Sequence, residues 1–146
     1  MNNNRNTDIK LREKIFGRSA AEYYLKDIAS SEFARGMYCC SMIKCRDKGD
    51  TLCVFLDENG KYISEIVINR DFARPHDRLL DKVRTYGEKL SASKVILARR
   101  RLPDADTEYL IAGGIVISDE LQKSGIELMA YYLTEHDSYF NIIPER

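Results

Sequence analysis

The stretch Thr51-Leu-Cys-Val-Phe-Leu-Asp-Glu-Asn-Gly-Lys61 decides how this chain is read. Its first seven residues form a short apolar run closed by an acid, the pattern of a buried strand. Asn59-Gly60 accepts the positive φ values that a two-residue hairpin turn requires. Residues 61–69 follow with Tyr62, Ile63, Ile66 and Ile68, so a second strand should return antiparallel to the first. Upstream, residues 37–45 (Met-Tyr-Cys-Cys-Ser-Met-Ile-Lys-Cys) also read as a strand, which would make a three-stranded antiparallel meander.

Further upstream, Ser19-Ala-Ala-Glu22 is a capping box opening a helix to about Arg35, with Tyr24, Leu25, Ile28 and Phe33 as its buried stripe and Gly36 as its stop. Residues 1–17 are expected as a flexible polar tail and 18–146 as one domain. Downstream, Asp77 is a candidate N-cap for a helix carrying Leu79, Leu80, Val83, Tyr86 and Leu90 to about residue 91. Val95-Ile-Leu-Ala98 has the unbroken apolar character of a strand covered on both faces. A loop containing Pro103 comes next. Residues 107–124 fit either a helix or a buried strand pair around Gly113-Gly114; helix is favoured, ending at Gly125. Residues 126–133 and 139–143 form a last hairpin across Glu135-His-Asp-Ser138. The expected class is α/β (α+β): a single domain with a mixed, mainly antiparallel sheet flanked by helices.

Bulk properties narrow the function classes. The chain has 146 residues, 44% hydrophobic and 32% charged, the balance of one ordinary globular domain. Lys plus Arg is 23 and Asp plus Glu is 23, which excludes a globally basic nucleic-acid binder but leaves a local patch open. No apolar run approaches the roughly 18 residues of a membrane span. The opening Met1-Asn-Asn-Asn-Arg-Asn6 lacks a signal peptide's apolar core, so a cytoplasmic location is expected. Cys39, Cys40, Cys45 and Cys53 lack the paired spacing of a structural zinc site and are expected as packing thiols on strands.

Taken in order, several segments resemble the JAB (MPN) domain of the RadC-like family. They are the hairpin from Thr51 to Ile63, Leu90-Ser-Ala-Ser-Lys-Val-Ile-Leu-Ala98, Gly125-Ile-Glu-Leu-Met-Ala-Tyr-Tyr-Leu133 and Ser138-Tyr-Phe-Asn141. The resemblance spans about residues 18–143 and implies a helix over 107–124. Active members of that family hold one zinc through a His-x-His-Pro motif and a following Ser-x-x-Asp, with an upstream Glu as general base. Two imidazoles and a carboxylate leave a fourth zinc position for water, whose proton the Glu accepts.

Carried over residue by residue, the motif is lost. The histidine positions fall on Arg99 and Arg101 and the proline position on Leu102. Ser-x-x-Asp falls on Thr107-Glu-Tyr-Leu110; Thr107 can stand in for Ser, whereas Leu110 cannot ligate a metal. The Glu position lands on Ile66, with Glu65 one residue away. His76 and His136 are the two histidines and lack metal-ligand spacing. The resemblance therefore implies a pseudoenzyme with no cofactor, acting as a protein-interaction or scaffold module through a protein partner or self-association. The alternatives are a metal-dependent hydrolase (peptidase or nuclease) with a non-standard site around Glu65, Asp106 and His76, or a nucleic-acid-binding accessory of this DNA-repair-labelled family.

Two roles are open for the arginines. In the first, Arg99 or Arg101 fills the former zinc cavity as a fixed cation paired with Glu65 or Asp106. Alternatively, Arg99, Arg100 and Arg101, with Arg70, Arg74 and Arg78, form an anion-recognition edge. Beside both stands simple surface pairing. Tyr131, Tyr132 and Tyr139 read as a base-stacking platform or, more plainly, as core and interface rings.

Overall fold

A computed structural model describes residues 31–70, 76–102 and 107–143. The chain order is α1 (Glu32–Ile43), β1 (Thr51–Leu56), β2 (Tyr62–Ile68), α2 (His76–Lys89), β3 (Lys94–Arg100), α3 (Thr107–Lys123), β4 (Glu127–Glu135) and β5 (Ser138–Asn141). Among the described residues the sheet has five strands in the order β2-β1-β3-β4-β5. All neighbours are antiparallel except β3 and β4, which run parallel and are joined through α3. The fold class is the expected α+β arrangement. The polar tail, the 19–22 capping box and the loop around Pro103 lie outside the described residues.

The sheet is covered on both faces. On one face, Leu52, Val54, Leu56, Ile96, Ala98 and Tyr132 meet Tyr38, Cys39, Met42 and Ile43 of α1. On the other, Cys53, Phe55, Val95, Leu97 and Tyr131 meet Leu79 and Val83 of α2 and Leu110 and Ile117 of α3. This explains the unbroken burial of β1 and of Val95–Arg99 in β3. A strand buried from both sides has no polar face to alternate with.

The segment 37–45 corrects the sequence reading: it is not a strand, and there is no three-stranded meander. Ser31 caps α1, its hydroxyl accepting the Ala34 amide at 3.2 Å, and the helix continues through Gly36 to Ile43. Buried Ala34, Tyr38, Cys39, Met42 and Ile43 recur at helical spacing, a period hidden because apolar residues also occupy the intervening positions. Gly36 is not a stop but a point of contact, where an added Cβ would collide with the ring of Tyr139. Phe33, expected in the buried stripe, is 67% exposed.

The first hairpin forms as expected, with different turn chemistry. Gly60 alone takes positive φ (78°), and its amide donates to the Asp57 carbonyl at 2.9 Å. The Asp57 carboxylate accepts the amides of Asn59 and Lys61, giving a longer loop closed by a left-handed glycine rather than a two-residue turn. α2 starts at His76, so Asp77 sits within the first turn rather than at the N-cap. Residues 107–123 are helical, as favoured, and Gly125 ends that helix at φ 78°. The last hairpin turns at His136 (φ 54°) and Asp137.

Candidate functional site

Strand directions bring the start of β1, the ends of β2, β3 and β4, and the N-termini of α2 and α3 to one end of the sheet. The cross-strand row there reads Ile68, Thr51, Arg99, Leu133, Phe140, and it faces α2 and α3. Arg70, Arg78, Arg99, Arg100 and Arg101 all belong to this end. Arg74 lies outside the described residues.

The three consecutive arginines are separated by the alternation of the strand. Arg99 points to the α2/α3 side and is 2% exposed. Its Nη1 has no hydrogen-bond partner among the described residues, and neither does the buried Oγ1 of Thr51 directly opposite. Arg100 turns to the α1 side, where Nη2 donates to the carbonyls of Ile43 (3.2 Å), Lys44 (3.4 Å) and Arg46 (3.2 Å). A cation thus closes the negative end of α1. Arg101 is exposed, pairs with Glu135 at 3.5 Å and donates its amide to the Thr134 carbonyl at 2.8 Å. It lines a shallow groove with Thr107, Leu133, Glu135 and Phe140. Leu110 is buried in the core, 1% exposed. Arg70 and Arg78 are exposed.

Glu65 is not part of this cluster. It pairs in register with Val54 and so faces α1, whereas Ile66, opposite Cys53, shares the face of Arg99. An Arg99–Glu65 pair is therefore excluded by the sheet between them. Instead the Glu65 carboxylate accepts the hydroxyls of Tyr62 (2.7 Å) and Tyr38. His76 packs against Tyr109 with ring centroids 4.9 Å apart, and an added Cβ at Gly113 would collide with it. His76 and Glu65 are thus on opposite sides of the sheet, and a hydrolytic site combining them does not form. Asp106 lies outside the described residues.

The tyrosines of the last hairpin are not a platform. Tyr131 and Tyr132 are fully buried on opposite faces, and Tyr132 meets Tyr139 edge to face at 5.2 Å. Cys39, Cys40 and Cys53 are buried packing thiols, the first two on a helix rather than a strand, whereas Cys45 is exposed in the loop after that helix and is not one. Burial pushes the thiols of Cys39 and Cys53 far above their ordinary value, so both stay protonated. Cys40 is raised by the same cause and donates to the Ser138 carbonyl at 3.2 Å. Among the described residues, no three His, Cys, Asp or Glu side chains converge as metal ligands, and no helix is long and apolar enough to cross a membrane.

Sequence reasoning named Arg99 but missed Thr51, whose position opposite it depends on the β1–β3 register. The Tyr38–Glu65–Tyr62 cluster is not legible there either, because the apolar pattern of 37–45 places Tyr38 on a strand rather than on α1. No known family's sequence profile matches the chain, and no curated protein matches it.

Proposed function

We propose that this chain is a non-catalytic module of the JAB/MPN-like type that works by binding a protein partner or a second copy of itself. One observation carries the reading. On the face where the resemblance would place zinc, general base and helix carboxylate, the side chains are Arg99, Ile66 and Leu110. A permanent cation repels a dication, and neither aliphatic group accepts a proton from water. Glu65, the nearest acid in sequence to the base position, is held on the other face by two tyrosines. Tyr109 and Val116 on α3 are 49% and 56% exposed, apolar surface suited to contact with another protein. A nucleic-acid edge is less favoured, because Arg100 is committed to carbonyls of the chain itself and Arg101 to Glu135.

The test is elemental analysis of the purified chain together with isopeptide-cleavage and nuclease assays. The expected result is no stoichiometric zinc and no turnover above buffer. A zinc-to-chain ratio near one, with turnover abolished by a chelator, overturns the reading.

A further inference from the structure

We propose that Arg99 and Thr51 form the floor of an oxyanion site that takes a phosphate group, between the sheet and the N-terminal turns of α2 and α3. This inference stands apart from the interaction reading and does not need it. A guanidinium stays charged at any pH the fold survives, so burial cannot be relieved by losing a proton. Arg99 is nevertheless 2% exposed and offers an Nη1 that nothing among the described residues accepts. A buried cation left in that condition is strongly unfavourable unless an anion meets it. The Thr51 hydroxyl is the second unanswered group, directly across the β1–β3 register on the same face.

Their position adds to the argument. Both lie at the carboxyl end of the parallel strand β3, the side on which open α/β sheets receive ligands. α2 and α3 are 14 and 17 residues long, and both start at this end, presenting the positive ends of their dipoles. A guanidinium nitrogen and a hydroxyl side by side on one face, with two helix N-termini at the same end of the sheet, suit the several oxygens of a phosphate. In the sequence, Asp71 precedes α2 and Asp104 and Asp106 precede α3; an internal carboxylate is the competing counter-ion.

The experiment is thermal unfolding of the full chain titrated with inorganic phosphate, with chloride and acetate at matched ionic strength as comparisons. The expected result is a saturable rise in Tm with phosphate alone. Arg99→Met should remove that response while melting no lower than the parent in chloride. Thr51→Val should raise the half-saturating phosphate concentration about fivefold, the effect of one lost hydrogen bond. If Arg99→Met fails to fold, the Thr51→Val titration decides. No phosphate response in the parent chain, or an equal response to acetate, overturns the proposal. A response kept in both variants means an adventitious ion only. A lower Tm of Arg99→Met in chloride, restored by Asp→Asn at 71, 104 and 106, shows an internal ion pair and also overturns it.

Discussion

Glu65 and Arg99 are charged residues set into the same sheet, one on each face, and the chain treats them differently. The carboxylate on the α1 face receives two tyrosine hydroxyls, both at Oε1, one from α1 and one from its own strand. The guanidinium on the α2/α3 face is more deeply buried, yet one of its nitrogens is unanswered among the described residues. A charge served by its own fold is architecture. A buried charge without such service is either a defect that selection has tolerated or a place for something else to bind.

The contrast can be broken most directly by reversing the charge at the unserved position. Arg99→Glu replaces the buried guanidinium by a buried carboxylate and should cost about 3–5 kcal/mol in urea denaturation. A loss below about 1 kcal/mol would mean that water reaches this position freely, against its burial. On the served side, Tyr38→Phe removes one of the two donors to Glu65 and should cost about 1.5–3 kcal/mol, the range for a hydrogen bond to a charged group. If it costs no more than a surface substitution, the two faces are not as different as the geometry says.

A pH titration asks whether the two faces are equally dry. Cys39 lies on the α1 face and Cys53 on the other, and burial raises both thiols above the ordinary value of 9.0. The unfolded chain ionises these thiols above pH 9 while the folded chain keeps them protonated. Stability is therefore complete below that pH and should fall above it, by about 1.4 kcal/mol per pH unit for each thiol. Cys39→Ala and Cys53→Ala should each remove one thiol's share of the slope; unequal shares would identify the wetter face. The smallest effect belongs to Arg101→Ala, whose pair with Glu135 is more than half exposed on both sides. It should change stability by less than about 0.5 kcal/mol. Arg100→Met, one residue away, should cost about 1 kcal/mol or more through the lost carbonyl contacts and speed hydrogen exchange at the end of α1.

Local sequence signals carried much of the architecture. The hairpin from Thr51, the strand at Val95 and the final hairpin formed where their patterns placed them, because each is a short-range preference reinforced by burial, whereas the run from Thr107 fits helix and strand pair alike and is helical. The misreading of residues 37–45 has an equally physical origin. A run with apolar residues on nearly every position satisfies the two-residue and the 3.6-residue periods together, and only the Ser31 cap and the sheet beneath α1 select the helix.

The candidate site divides along the same line. The identities that matter, a guanidinium at Arg99 and aliphatic groups at Ile66 and Leu110, belong to the sequence alone, since no fold can alter what those side chains are. What only the tertiary structure decided was their company. Strand register set Glu65 and Arg99 on opposite faces, placed Thr51 across from Arg99 and sent Arg100 to the end of α1. Register depends on contacts between residues far apart in the chain, and a slip of one position would turn every one of those side chains to the other face.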